Sequence, residues 1–207
     1  MANFVTLSRI VLALIALGLL YIKTTNAYVA AFIITAIVIW FDGLDGFLAR
    51  LLKEDSRIGA LLDILGDRIV ECSYWVVFAC LGWVWVIVPL VVIVRGFITD
   101  GIRSLAFEKG YTAFGQTTMM ESKLGRFLVA SNFSRGSYAV AKAFAFVLMI
   151  IAYVPDIPQN WLLYQNIVLK IAIICVWISV IFCVLRGLPV VVEGMRFFME
   201  KPEDDNR

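Results

Sequence analysis

Apolar residues fill long stretches of this chain, and short polar segments separate them. A helix needs about 20 predominantly apolar residues to cross the hydrocarbon core of a bilayer. The stretches of about this length lie at residues 4–22, 27–49, 58–80, 83–105, 137–154 and 162–185. The pattern therefore predicts an all-α, polytopic membrane protein with six transmembrane helices.

Basic residues in the polar connections predict the orientation of these helices. One set of connections contains Arg50, Lys53, Arg57, Lys109, Lys123, Arg126 and Arg135, whereas the opposite set contains only Lys23. Lys and Arg concentrate in cytoplasmic loops. We therefore expect both termini in the cytoplasm, in an inner (plasma) membrane protein. Residues 1–190 are predicted to form the transmembrane domain, and residues 191–207 a cytoplasmic interfacial tail.

Composition narrows the chemistry that this chain can perform. Of its 207 residues, 62% are hydrophobic and only 16% are charged, against about 25% charged in soluble domains. The net charge of +2 gives no indication of a nucleic-acid partner. The chain has no histidine, the commonest general base and zinc ligand. Its four cysteines form no CxxC motif, so acid–base and metal chemistry must come from carboxylates.

The stretch from residue 41 to residue 68 contains two pairs of closely spaced aspartates. Asp42 and Asp45 are three residues apart, so they share one helix face. Asp63 and Asp67 are four residues apart and share a face of the next helix. A polar break between the two pairs lets the chain reverse. The two helices can thus present two carboxylates each toward a common point.

Ionisable groups within membrane spans are costly, and their default interpretation is functional. Four converging carboxylates repel one another, and divalent cations relieve that repulsion. All-oxygen ligation favours Mg²⁺ or Mn²⁺, and two such ions can clamp a diphosphate. Gly46 and Gly59 leave room for a nucleotide or a neighbouring backbone. The alternative is that the aspartates form buried salt bridges with Arg50, Arg57 and Arg68.

These residues resemble a known family signature. Its positions are Asp42, Asp45, Gly46, Ala49, Arg50, Gly59, Asp63 and Asp67. The spacing is similar to the complete signature of the CDP-alcohol phosphotransferases, and the six-span layout agrees with that family. The resemblance implies transfer of a phosphatidyl group from a CDP-linked lipid, CDP-diacylglycerol, to a small polar alcohol. CMP is released.

The same resemblance implies roles for individual residues. The implied metal ligands are Asp42, Asp45, Asp63 and Asp67, and Asp67 is also the implied general base. The implied contacts of the cytidine diphosphate are Gly46, Ala49, Arg50, Ser56 and Gly59, with Asn3 and Thr6 from the first helix.

The acceptor alcohol is indicated by a second segment. Residues 95–110 resemble the corresponding segment of bacterial phosphatidylglycerophosphate synthases, although Gly96 stands where those enzymes usually carry glutamate. An acceptor with its own phosphate needs basic partners. The basic residues predicted to bind it are Arg95, Arg103, Lys123 and Arg126. We expect glycerol 3-phosphate as the acceptor. The Asp67-Arg68 pair resembles the branch of the family that uses inositol phosphate, so inositol phosphate is the alternative acceptor.

Two further interpretations come from the arrangement of the spans. A proton or cation transporter would also use intramembrane carboxylates, but it would spread them along a pathway through several helices. Here all four lie in one block. The expected partners are the CDP-lipid, the alcohol and membrane lipids. A homodimer is predicted along a surface formed by Gly82, Trp83 and Trp85.

Overall fold

The fold is all-α throughout the described part of the chain. The computed structural model describes residues 2–52, 57–108, 122 and 125–195. Within these ranges the side chains of residues 2–4, 43–52, 57–61, 63, 107, 108, 130 and 132 are outside the description. The described residues contain helices and no strands, so the all-α prediction is confirmed.

Each predicted apolar stretch corresponds to one helix. The helices are α1 (Ala2–Leu20), α2 (Thr25–Leu52), α3 (Arg57–Cys80), α4 (Ile87–Glu108), α5 (Asn132–Ala152) and α6 (Leu162–Gly194). A short π-helical segment, Arg126–Ala130, precedes α5, and a single 3₁₀ turn, Gln159–Trp161, precedes α6. The polar break predicted between the aspartate pairs covers residues 53–56, which lie outside the described residues.

Local hydrogen bonds explain where several helices begin and end. Thr24 caps α2, since its hydroxyl accepts from the Ala27 N–H at 3.4 Å. Ser131 caps α5 in the same way, accepting from the Ser134 N–H at 3.1 Å, so this helix begins earlier than the apolar stretch alone predicts. Gly82 ends the turn after α3 with φ of +77°, a left-handed conformation that favours glycine.

Three helical segments of the described residues are long and apolar enough to cross a membrane. They are Thr25–Asp42, Phe133–Ala152 and Gln159–Gly194, and a shorter apolar stretch covers Val5–Leu20. Both α3 and α4 carry several ionisable residues along their length, which lowers their mean hydropathy. Length and composition therefore support a membrane protein.

The last helix runs further than its apolar stretch predicts. The sequence predicts a span that ends at residue 185 and a tail that begins at residue 191, but α6 continues to Gly194 with Pro189 inside it. Near its end, Glu193 accepts a hydrogen bond from the Ser122 hydroxyl. The predicted division at residue 190 stays a prediction, because residues 196–207 lie outside the described residues.

The chain divides into two compact units. The first comprises Met1–Pro89 and Ala141–Trp177, and the second comprises Leu90–Val140 and Ile178–Arg207. In the first unit, α1 packs against both α2 and α3. A buried hydrogen bond of 2.8 Å between the Thr35 and Tyr74 hydroxyls also joins α2 to α3.

Aromatic side chains form the core of the first unit. Phe146 of α5 lies at the centre of this aromatic core, with ring centroids 4.6 Å from Tyr74, 4.8 Å from Trp75 and 5.9 Å from Phe78. All four side chains are buried. Trp83 is buried as well and stacks on Tyr153 at 4.5 Å. Because Trp83 packs inside the unit, the predicted dimer surface is left with Gly82, which is exposed, and Trp85, which is 75% exposed.

The core of the second unit is smaller. Ile102 and Ala106 of α4 pack with Val129 and with Val190 of α6. Gly187 lets α6 approach α4 closely, because a Cβ atom there would lie 2.7 Å from Cγ of Arg95. The long Arg95 side chain therefore lies along the α6 backbone.

The aromatic core predicts a strong contrast between two phenylalanines of α5. Phe146→Ala should destabilise the protein by about 3–5 kcal/mol, because it leaves a cavity among rings that cannot collapse into it. Phe144, two residues earlier, is 55% exposed and serves as the matched control. Thermal unfolding in detergent should show a large decrease in melting temperature for Phe146→Ala and a small decrease for Phe144→Ala. Equal losses would contradict this description of the core.

Candidate functional site

Two of the predicted site aspartates meet around one arginine in the first unit. Arg9 of α1 donates a hydrogen bond from Nη1 to Oδ1 of Asp42 on α2. Its other terminal nitrogen, Nη2, donates to Oδ1 of Asp67 on α3. One guanidinium thus links three helices, and the two carboxylates converge on it from different helices.

Exposure differs sharply between the two sides of this cluster. The Arg9 side chain is 2% exposed, whereas those of Asp42 and Asp67 are 47% and 45% exposed. The arginine therefore lies on the closed side of the carboxylates. Nearly half of each aspartate side chain faces the open side, where further ligands have access.

A glycine makes this approach of α1 and α3 possible. A Cβ atom at Gly66 would lie 2.5 Å from Cγ2 of Thr6 and 3.5 Å from Nη2 of Arg9. Real Cβ atoms do not approach other carbon atoms so closely, and Thr6 is itself buried. Gly66 precedes Asp67 directly, so it allows α3 to come near enough for Arg9 to reach that carboxylate.

The other two predicted metal ligands are described only through their backbone. Positions 45 and 63 are helical, so they lie on the same helix faces as Asp42 and Asp67. The side chains of Asp45, Asp63, Asn3, Gly46, Ala49, Arg50 and Gly59 are outside the description, and Ser56 lies outside the described residues altogether. Thr6 is the predicted nucleotide contact that is described, and it lies beside Gly66.

The described donor set fits a hard divalent cation. Two carboxylates from neighbouring helices converge on one small volume, where the Arg9 guanidinium already shows that they accept a cation. Oxygen donors of this kind suit Mg²⁺ and Mn²⁺. Carboxylates without a bound cation would repel each other, which is the physical reason for a positive charge here.

A second ionic group surrounds Glu71, one helical turn after Asp67. Glu71 is buried, and its Oε2 accepts a hydrogen bond from Nζ of Lys142 at 3.3 Å. Arg68 lies 3.9 Å from the same oxygen. Arg68, a predicted aspartate partner, and Lys142 both lie against Glu71. The sequence left open that the aspartates form salt bridges with arginines, and such salt bridges do occur, but with Arg9. The side chains of Arg50 and Arg57 are outside the description.

The second unit contains most of the residues predicted to bind the acceptor. Arg95 lies against Gly187, and Arg103 forms an ion pair of 3.5 Å with Asp100. Arg126 is exposed, and Lys123 lies outside the described residues. The pairing with Asp100 neutralises charge on Arg103 within the same helix.

A further arginine of the second unit did not figure among our sequence predictions. Arg186 is buried, and its guanidinium carbon lies 5.5 Å from the centre of the Tyr138 ring. Arg95 and Arg135 are near enough to interact with it electrostatically. Among the described residues, Nε of Arg95 and Nε of Arg186 are buried without a hydrogen-bond partner. Three guanidinium groups thus lie together in this unit.

Comparison with known protein families identifies a match that includes the helices of the carboxylate site. The CDP-alcohol phosphatidyltransferase family matches residues 1–185. The chain belongs to the CDP-alcohol phosphatidyltransferase family. The matched residues include the helices that carry Arg9, Asp42 and Asp67, and the match ends at Leu185 in α6.

Individual relatives from this family are identical to the chain at about a third of the aligned positions. The chain is 31% identical over 115 residues to a CDP-diacylglycerol–glycerol-3-phosphate 3-phosphatidyltransferase of Pseudomonas fluorescens, covering 55% of this chain and 59% of the relative. A protein of the same name from Escherichia coli is 30% identical over 111 residues, with 52% and 60% covered. A putative cardiolipin synthase of Mycobacterium tuberculosis is 33% identical over 90 residues, or 42% of each chain. These matches span less than two thirds of each relative.

The phosphatidyltransferase signature does not include Arg9, Gly66 or Arg186. For Arg9 the sequence did contain a usable signal. An arginine lies inside the first apolar stretch, and no acidic residue occurs in that stretch to neutralise it. Such a charge needs a partner from another helix, and the four aspartates are the obvious choice.

Packing at Gly66 predicts a specific double-mutant result. Gly66→Ala should destabilise the protein by about 1–3 kcal/mol, because the added methyl overlaps Cγ2 of Thr6. Thr6→Ser removes that methyl and keeps the hydroxyl, so adding it to Gly66→Ala should restore much of the lost stability. Thermal unfolding of the single and double variants in detergent measures both effects. Additive losses in the double variant would show that the close contact is not responsible.

Proposed function

We propose that this protein transfers a phosphatidyl group from CDP-diacylglycerol to the hydroxyl of a polar alcohol, foremost glycerol 3-phosphate, and releases CMP. The observation that carries the proposal is the convergence of Asp42 and Asp67, two signature carboxylates, on one cation site. Relatives named as glycerol-3-phosphate 3-phosphatidyltransferases support the choice of donor and acceptor.

Divalent metal ions complete the carboxylate site. Asp42, Asp45, Asp63 and Asp67 are the ligands of two Mg²⁺ or Mn²⁺ ions. When bound, these ions neutralise the diphosphate of the donor and stabilise charge on the phosphoryl group during transfer. The open side of Asp42 and Asp67 supports this assignment, because it leaves room for both metal and diphosphate.

The transfer step forms one bond and breaks another at the same phosphorus. The acceptor hydroxyl oxygen attacks the phosphorus that carries the diacylglycerol, and the phosphoanhydride bond to the CMP phosphate breaks. Asp67 takes the hydroxyl proton, because an alcohol is a poor nucleophile until that proton leaves. CMP departs with the bonding electrons. The exposed part of the Asp67 side chain supports this role.

The donor nucleotide lies where α1, α2 and α3 meet. Its contacts are Asn3, Thr6, Gly46, Ala49, Arg50, Ser56 and Gly59. Glycine and alanine positions allow close approach of a ligand to the helices. The position of Thr6 beside Gly66, one residue before Asp67, supports a nucleotide site next to the carboxylates.

The acceptor phosphate binds to arginines of the second unit. Arg95, Arg103, Lys123 and Arg126 are its partners, and Arg186 joins them. The support is electrostatic: Arg95 and Arg186 are close, and each has a buried Nε without a hydrogen-bond partner among the described residues. A phosphate offers oxygen acceptors and negative charge to such a group. Inositol phosphate satisfies the same requirement and is the alternative acceptor.

All six helices cross the membrane, and the carboxylate site faces the cytoplasm of the inner (plasma) membrane. The distribution of Lys and Arg in the connections supports this orientation, with both termini cytoplasmic. Membrane lipids surround the exposed apolar side chains, for example Phe97, which is 77% exposed. The protein pairs as a homodimer through a surface that includes the exposed Trp85.

Purified protein should release CMP from CDP-diacylglycerol only when metal and acceptor are both present. Mg²⁺ or Mn²⁺ should restore the activity that EDTA removes, and glycerol 3-phosphate should be the best acceptor in a panel with inositol phosphate, inositol and serine. Asp67→Asn is the matched inactive control, with a rate at least about 100-fold lower because the general base is lost. Preference for an uncharged acceptor would refute the acceptor assignment. Full turnover in excess EDTA would refute the metal site.

Arg95→Met should raise the KM for glycerol 3-phosphate by roughly 10- to 150-fold, because a hydrogen bond to a charged group contributes about 1.5–3 kcal/mol. The KM for CDP-diacylglycerol should change little. Lys170→Met is the control, since Lys170 lies in the first unit and on no proposed site. Steady-state CMP release over both substrates measures the two constants. An equal rise in both would mean that Arg95 does not serve the acceptor.

A further inference from the structure

We propose that Arg9 is a positioning residue that acts as the resident counter-ion of the carboxylate site. It holds Asp42 and Asp67 together before a divalent cation binds, and it competes electrostatically with that cation. The inference rests on the proposed function only in taking the cation to be Mg²⁺ or Mn²⁺. It assigns a role to a residue outside the signature of the family.

The first argument is geometric. Arg9 uses both terminal nitrogens on Oδ1 of two different aspartates, so its planar fork sets the relative position of the two carboxylates. The guanidinium is buried on the closed side of the site, and Gly66 provides the space for it. A cation can therefore bind the same carboxylates from their exposed side while Arg9 stays on the closed side.

The second argument is the charge balance. Lys142 also acts electrostatically on Asp67. Without Arg9, two carboxylates from neighbouring helices would face each other with less positive charge beside them, and their repulsion would push α2 from α3. Arg9 removes most of that repulsion in the metal-free protein. A divalent cation removes it as well, so Arg9 contributes less to stability once the metal is bound. Two positive charges at one site also repel each other, so Arg9 lowers the affinity for the cation.

These opposing effects separate the proposed role from simple helix packing. A residue that only holds helices together contributes the same stability with and without metal. A counter-ion contributes more in the metal-free protein, and by linkage its removal increases the stabilisation that the metal provides.

The test is thermal unfolding of the full chain in detergent, in EDTA and in Mn²⁺, together with Mn²⁺ binding measured by paramagnetic resonance of the free ion. Arg9→Met should lower the melting temperature in EDTA by about 5 °C or more. In saturating Mn²⁺ the loss should be much smaller. Mn²⁺ affinity should rise at least about 10-fold, because a nearby positive charge has gone.

Tyr74→Phe is the matched control. It removes the Thr35–Tyr74 hydrogen bond, which joins α2 to α3 at a distance from the carboxylates. It should lower the melting temperature equally in EDTA and in Mn²⁺. If Arg9→Met does not fold, Arg9→Lys keeps the charge without the fork. It should lose stability in EDTA and show a Mn²⁺ affinity within about 3-fold of the native protein.

Three results would overturn the inference. The first is that Arg9→Met loses the same stability in EDTA and in Mn²⁺, as the control does. The second is that its Mn²⁺ affinity falls, or that Mn²⁺ does not bind to the native protein. The third is that Arg9→Lys shows the increase in Mn²⁺ affinity that is expected for Arg9→Met. None of these measurements uses the lipid substrates, so a failure to release CMP would count against the proposed function alone.

Discussion

A buried positive charge between two carboxylates is the interaction on which the first unit depends. Arg9 lies on an apolar helix, where an uncompensated charge is expensive, and both of its partners come from other helices. The position of α1 against α2 and α3 is therefore tied to the charge balance of the site. Gly66 serves the same arrangement by allowing α3 to approach. Packing and chemistry are thus determined by the same few residues.

The two units treat buried positive charge differently. In the first unit, Arg9 faces Asp42 and Asp67, and Lys142 faces Glu71, so cations and carboxylates are matched within the protein. In the second unit, Arg186 lies on the Tyr138 ring with Arg95 nearby. Two aspartates share one arginine in the first unit, so negative charge remains there for a cationic ligand. A group of arginines suits an anionic ligand, which supplies the negative charge on binding.

Sequence patterns predicted the helices well because length and hydropathy determine them. The ends were less predictable, since they depend on single contacts: Ser131 starts α5 early, and α6 continues through Pro189 to Gly194. The carboxylate spacing correctly indicated that Asp42 and Asp67 approach each other. It could not identify Arg9, because the period of a helix says which residues share a face but not which faces of different helices meet.

The same reasoning explains why a signature motif leaves the acceptor open. In the proposed reaction, Asp42 and Asp67 act on groups that every donor and acceptor contains, a diphosphate and a hydroxyl. Discrimination between acceptors needs groups that meet the rest of the alcohol, and in this chain Arg95 and Arg186 of the second unit, whose Nε atoms are buried, carry suitable charge. Arg186 is more than 100 residues from the signature, and sequence spacing gives no measure of such a distance in space. If the proposed sites are correct, acceptor choice depends on helix packing, whereas the transfer chemistry depends on the local spacing of the aspartates.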